Sequence, residues 1–367
     1  HFHGLRMQGS NDMDGVNGVT QCPIAENETF QYKFKLTQYG HSWYHSHYSS
    51  QYADGVAAPI VIHGPHSANW TEEWAPIIVA DWHHKASYNA FHELFEGRVP
   101  PTDSILVDGT GRHYNDNGTF TGELFQQSFE EDKKYLIRII NGATDWHFHF
   151  SIDNHILTVI AADYVAVKPY NVTSLSIGVG QRFSVIVHAK PTASSPNGKY
   201  WLRTEYTTDN QCQFEIPTVP VNNTDRQRTG IISYNNAGGG EPLTNRHNVT
   251  VGCEDVLNLE PVVPWTVSAP ENQHDLADNT YHAGLDPSTP FRGNLFRWKI
   301  KEKPMWLNFS DPTILNLENS TWNPEYAVTE YAYNDEEQWV YMILNSGIGN
   351  ETRMLGVSHR PRIRVFL

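Results

Sequence analysis

The residues with the clearest chemical potential are two pairs of histidines, His1-Phe2-His3 and His45-Ser46-His47, each with its imidazoles at i and i+2. Side chains alternate faces along a β-strand, so residues two apart point the same way, ~7 Å from one another. Two neighbouring strands with this spacing would turn four imidazoles toward one spot. A catalytic zinc ion usually takes only three protein ligands. Four imidazoles suit a cluster of copper ions better, because imidazole is a good copper ligand and copper heads the divalent affinity order. A third pair, His147-Phe148-His149, has no thiolate partner and reads as ordinary strand or loop histidine.

The surrounding text carries more than the pairs alone. Asp12-Met13-Asp14-Gly15 and Gln21-Cys22-Pro23-Ile24 follow the first pair, while Thr37-Gln38-Tyr39-Gly40 and Trp43-Tyr44 precede the second. This order resembles the first two copper signatures of the multicopper oxidases, and among them the laccases of filamentous fungi, particularly the ascomycete type. The resemblance implies that His1 binds a type 2 copper and that His3, His45 and His47 bind the two type 3 coppers. The family completes the cluster with four more histidines from a C-terminal His-x-His and a His-Cys-His, whose Cys also holds the type 1 copper that accepts substrate electrons. No His-Cys-His occurs here, since Cys22, Cys212 and Cys253 stand between Gln/Pro, Gln/Gln and Gly/Glu. The last residues follow the family pattern as far as His359, a candidate type 1 ligand, and depart from it at Arg360. The expectation is a partial sequence, lacking an N-terminal stretch and ending early, whose intact product is an oxidase and whose literal chain is inactive. In similar laccases Cys212 and Cys253 pair and Cys22 bridges to a cysteine near the C-terminus; here Cys22 is expected to be a free, buried thiol.

Two carboxylates join the histidines as candidates. Asp14 matches an acid near the type 2 copper channel that can relay protons during oxygen reduction; the alternative is a turn residue before Gly15. Asp145, in Gly142-Ala143-Thr144-Asp145-Trp146, aligns with the acid that lines the phenol pocket of fungal laccases. A phenol that has lost one electron is far more acidic, so a nearby base that takes its proton lowers the barrier. The alternative is a solvated loop carboxylate. The implied activity is one-electron oxidation of phenols (benzenediols) with reduction of dioxygen to water. Competing readings are another multicopper oxidase, acting on ferrous iron or ascorbate, and a non-enzymatic secreted β-sandwich glycoprotein.

Bulk composition bounds these readings. At 367 residues the chain can hold two or three domains. Aromatic content of 12% is inconsistent with disorder. A formal charge of −15 argues against nucleic-acid or anionic-membrane partners, which need a basic face, and no apolar run approaches the ~20 residues of a membrane span. A monomer is expected. Asn-x-Ser/Thr acceptors at Asn27, Asn69, Asn117, Asn171, Asn222, Asn248, Asn308, Asn319 and Asn350 favour a secreted, extracellular glycoprotein.

The elements that must position these residues are strands. Residues 30–36 alternate apolar and polar, and 57–65 read as a closing strand and turn. Strands are also expected at 74–82, 135–143, 148–153, 157–162, 172–179, 182–189, 200–204, 296–300 and 339–344. One short helical stretch, rich in His and aromatic residues, is expected to run through Phe95. The pattern is all-β, and the resemblance implies tandem cupredoxin-like β-sandwich domains of Greek-key type. Residues 1–65 are expected to form the C-terminal part of a first domain, 68–248 a complete second, and 249–367 a truncated third.

Overall fold

The computed structural model describes residues 1–95, 100–115, 117–206, 227–235 and 237–247, and beyond them 252, 256, 259–264, 280–286, 297–300, 305–318, 321–326, 328, 340–346 and 352–357, with the strands after 280 described by their backbone. Two strands, β1 (Gly40–His45) and β2 (Ala57–Ile62), form an antiparallel hairpin with His45 opposite Ala57. There follow β3 (Glu72–Glu73), β4 (Ile77–Trp82), helix α1 (Ser87–Phe95), β5 (Ser104–Val107), β6 (Thr110–Tyr114), β7 (Phe120–Gly122) and β8 (Phe125–Phe129). Next come β9 (Lys134–Asn141), β10 (Phe148–Ile152), β11 (Leu157–Ala162), β12 (Val165–Val172), β13 (Leu175–Ile177), β14 (Arg182–His188), β15 (Lys199–Tyr206) and β16 (Arg228–Tyr234). The last described strands are β17 (Thr280–Asp286), β18 (Arg297–Ile300), β19 (Val340–Ser346) and β20 (Thr352–Val357).

The middle of the chain is a two-layer β-sandwich. One layer has the order β13-β10-β15-β16-β8; the other runs β12-β11-β14-β9-β4-β5-β6-β7, with β3 also on β9. Most pairings are antiparallel, but β8 with β16, β4 with β9 and β3 with β9 are parallel, as expected where connections cross between layers. Ile137, Ile139, Val159, Val185 and Val187 of one layer face Phe148, Phe150, Ile152 and Leu202 of the other in one core cluster. The run Tyr135-Leu136-Ile137-Arg138-Ile139-Ile140 does not alternate in polarity because β9 is covered on both faces. Leu136 packs outward with Ile160, Ile186 and Trp70, and buried Arg138 meets Glu73. The fold is all-β and cupredoxin-like.

The hairpin β1–β2 rests on the outside of that second layer. His41, wholly buried, donates from Nε2 to the Ile139 carbonyl (3.3 Å) and accepts at Nδ1 from Ser184 Oγ (3.2 Å). Burial drives its pKa down to about 3, so the ring is neutral and works as a polar rivet between layers. Residues 260–262 cover the β12 edge through Lys168 N to Glu260 O and Val262 N to Ala166 O. The late strands order as β18-β17-β19-β20.

Three expectations need correction or bounding. Segment 30–36 sets Tyr32 and Phe34 against Phe2, but it belongs to no sheet among the described residues. Phe30 and Leu36 are exposed, so the alternation reflects one aromatic contact rather than a laddered strand. The stretch 172–179 is not one strand: β12 ends at Val172 and β13 is limited to Leu175–Ile177. Cys22 is free, as expected, but exposed rather than buried; Cys212, Cys253 and His359 lie outside the described residues. The acceptors Asn27, Asn69, Asn117, Asn171 and Asn308 are all exposed, and Asn222, Asn248, Asn319 and Asn350 lie outside the described residues. No described helix is long and apolar enough to cross a membrane.

Candidate metal centre

Strand alternation builds the centre. Phe2 bridges Tyr44 in antiparallel register, with His3 N donating to Trp43 O (3.0 Å) and His45 N to His1 O (3.0 Å). The odd-numbered residues of both segments then share a face. Phe2 turns the other way, against Tyr32, Phe34 and Tyr44. His1 lies 5.9 Å from His3, 5.5 Å from His45 and 5.1 Å from His47 between ring centroids, and His45 lies 5.0 Å from His47. His3 Nδ1 stands 3.3 Å from His45 Nε2. Donor atoms of His1, His45 and His47 all fall within 4.8 Å of one another. Buried Trp43 stacks on His3 and lies 4.2 Å from His45, which stiffens the wall behind them.

The surroundings suit a metal. Burial first, then the Arg182 charge and the neighbouring imidazoles, drive the His3 pKa down to about 3. Burial and the His47 and His1 rings take His45 to about 4. His47 reaches solvent on one side, yet the protein crowded around it and His1 bring it to about 4 as well, with Asp14 opposing. All three are therefore neutral at ordinary pH, the form that offers a lone pair. His1 Nδ1 donates to Asp14 O (3.0 Å) and His45 Nδ1 to Ser46 O (3.3 Å). A ring nitrogen engaged this way leaves the lone pair on Nε2, the arrangement usual behind metal-bound imidazole. The donor set fits copper: imidazole nitrogens crowded on one face.

Each predicted acid has a distinct place. Asp14 Oδ1 lies 3.3 Å from His1 Nδ1, so it stands at the cluster. It sits on a tight turn: Gly15 has φ +86°, and a Cβ there would meet the His1 backbone nitrogen at 2.9 Å. Asp145 lies on the loop between β9 and β10, half-buried. That loop is tied to the cluster by Tyr52, whose hydroxyl donates to Gly142 O (2.9 Å) and also to Ala143 O, and whose ring lies 5.1 Å from His45. His147 and His149 are engaged elsewhere, on Ser176 Oγ (2.6 Å) and Gly252 O (2.7 Å).

Sequence reading missed several residues that shape the site. Asp81, buried at the end of β4, accepts at Oδ1 from Thr144 N (2.8 Å), and at Oδ2 from Asp145 N (2.9 Å) and Trp146 N (3.2 Å). Thr144 Oγ1 donates to the same carboxylate (3.1 Å). Gly180, between β13 and β14 with φ +78°, is so close that a Cβ would lie 3.0 Å from His3 Cε1. Neither carried a spacing signal; both act through contacts distant in the chain.

Comparison with known proteins agrees with this geometry. Two family profiles, both described as multicopper oxidase, match residues 1–67 and 73–235. A laccase of Arthroderma benhamiae is 37% identical over 94% of this chain and 54% of its own length. Laccase-2 of Botryotinia fuckeliana is 36% identical over 95% of this chain and 58% of its own. The crystal structure of the laccase from Botrytis aclada superposes with a TM-score of 0.80 at 34% identity, covering 95% of this chain and 62% of that one. The chain thus spans a little over half the length of the curated laccases it matches. On these matches, the chain belongs to the multicopper oxidase family, and its likeness within the family is to the fungal laccases.

Proposed function

We propose that the chain contributes half of the histidine ligands of an oxygen-reducing copper cluster in a laccase-type oxidase acting on phenols. The observation that carries this is the convergence of His1, His3, His45 and His47 on one face backed by Trp43, with His3, His45 and His47 held neutral by burial. In this reading His1 serves the type 2 position and His3, His45 and His47 the type 3 pair, while a type 1 site is supplied by other residues. Copper bound there would supply electron transfer to dioxygen, reducing it to two waters for every four one-electron oxidations of phenol.

The protein's own groups move the protons. Each phenol oxidation releases one proton and dioxygen reduction consumes four, so the balance closes. Asp145 accepts the phenolic proton at its carboxylate, held in place by the Asp81 brace on its backbone N–H. Asp14, beside His1, passes protons toward the cluster. The chain works as a secreted monomeric glycoprotein in this reading, and its division into 1–65, 68–248 and 249–367 follows the cupredoxin plan.

Copper analysis of the protein beside His3→Ala and His45→Ala tests the ligands. Copper held by the parent and lost from both variants is expected; equal copper in all three removes the reading. Oxygen uptake driven by phenols, set against ferrous iron and ascorbate, tests the substrate class. A preference for ferrous iron or ascorbate would replace the laccase reading with that of another multicopper oxidase.

A further inference from the structure

A second group of metal-ligating side chains lies apart from the copper cluster. His84 follows β4, Asp103 precedes β5 and His113 sits on β6, and their donor atoms all lie within 4.8 Å of one another. The two imidazole rings are 4.5 Å apart at 62°. The geometry points to a mononuclear site for a divalent transition-metal ion of the zinc or copper kind, with His84, His113 and Asp103 as its protein ligands.

Four observations support it. First, sheet register rather than chance brings the residues together. Trp82 pairs with Ser104 across β4 and β5, Asp103 N donates to Trp82 O (2.9 Å), and β6 pairs with β5. Second, His113 Nδ1 donates to Asp103 O (2.9 Å), which leaves Nε2 with the lone pair. Third, Asp103 Oδ2 accepts from His84 N (2.7 Å), which orients the carboxylate. Ser104 Oγ lies 3.4 Å from His84 Nε2, a contact long enough to yield to an ion. Fourth, His84 and His113 open onto a cavity of about 690 Å³ whose walls include Asp54, Asp81 and Asp108, so the space is acidic and admits a cation and its water.

Two imidazoles and one carboxylate with an open fourth position match a three-ligand zinc-type set. Ligands about 2.0–2.1 Å from one ion stand closer than 4.8 Å, so binding draws the three side chains together by rotation of exposed or half-exposed groups. Because residues 84 and 103 bracket the segment that carries α1, the ion would clip the two ends of that excursion to β6.

Zinc is the probe. The protein is stripped with chelator, titrated with Zn²⁺ and analysed for bound metal, in the parent, in His84→Ala, in His113→Gln, and in His3→Ala/His45→Ala. One equivalent is expected to persist in the His3/His45 variant, to disappear when His84→Ala is added to it, and to raise the melting temperature only where His84 and His113 are both present. His84 is exposed, and Gln at 113 can still donate to the Asp103 carbonyl, so folding survives in both. If the His3/His45 variant fails to fold, loss of one equivalent on going from the parent to His84→Ala is the equivalent reading. Zinc binding unchanged by His84→Ala and His113→Gln overturns the proposal, as does a His3/His45 variant that folds but binds none. Copper held at His3 and His45 is read separately, so this site and the cluster stand or fall independently.

Discussion

Gly180 shows how little room the cluster leaves. Its φ of +78° is one that L side chains avoid, and an added Cβ would press on the His3 ring at 3.0 Å. Gly109 has φ +75° with nothing within 4 Å of such a Cβ. Each Gly→Ala change therefore carries the same backbone cost, about 1–2 kcal/mol, but only Gly180→Ala also displaces an imidazole. The expected outcome is a similar drop in melting temperature for both, with bound copper reduced in Gly180→Ala alone; equal copper in the two would show that His3 tolerates displacement. The meeting of the four imidazoles was legible from sequence, because i, i+2 spacing on two strands leaves them only one shared face. Asp81, Tyr52 and Gly180 were not legible. A carboxylate at a strand end, a tyrosine in a turn and a glycine in a loop gain meaning only from residues that the fold brings across, and no local pattern marks them. Asp81→Ala tests the first of these. It strips the acceptor from the backbone N–H groups of Thr144, Asp145 and Trp146, so thermal unfolding should show a loss of about 3 kcal/mol.

At the scale of strands and helix, what the sequence made readable was whatever buries one face or two. The mostly apolar text of β9, β11 and β14, without strict alternation, marks strands covered on both sides. Helix α1 is the only α-helix among the described residues, in the stretch expected to hold one. Segment 30–36 misled because alternation records burial on one side, while a sheet also needs a partner for the backbone. Strands β8 and β16 went unnoticed for the converse reason. Gln126, Gln127 and Ser128 interrupt β8 with polar text, and its place is fixed by parallel pairing with β16 about a hundred residues later. Inside the sandwich one polar contact joins elements that hydrophobic pattern cannot specify. Arg203 on β15 makes a bidentate pair with Asp153 just after β10, Nε to Oδ1 at 2.7 Å and Nη2 to Oδ2 at 2.8 Å, and Thr244 Oγ1 donates to Oδ2 at 2.8 Å. Both partners are buried. Arg203→Met strands the carboxylate and should cost about 3–5 kcal/mol by denaturant unfolding. The double change Arg203→Met/Asp153→Leu should cost clearly less than the sum of the single changes; additivity would mean that the pair is not coupled.

For the molecule as a whole, an excess of 15 negative charges at pH 7 suggests that acid should relieve repulsion and favour the folded state. The buried histidines oppose this. His155, between the Asp153 carbonyl and the Tyr234 hydroxyl, is pushed by burial from its ordinary 6.5 down to about 4, and His41 to about 3. A group with a depressed folded pKa leaves the unfolded chain holding more protons below 6.5. The stability these rings lend is thus complete above pH 6.5 and drains as pH falls, to about 4 for His155 and about 3 for His41, then levels. Each ring contributes a slope of about 1.4 kcal/mol per pH unit at most. Glu205 works the other way: burial raises its pKa, so acid eases the cost of its charge. His155→Gln separates these contributions, since Gln can occupy the site without titrating. Its unfolding free energy, followed from pH 7 to pH 4, should fall less steeply than the parent's by about one proton's worth. Parallel curves would show that His155 titrates normally in the folded protein, and that acid sensitivity arises in the carboxylates rather than in the rings packed inside the sandwich.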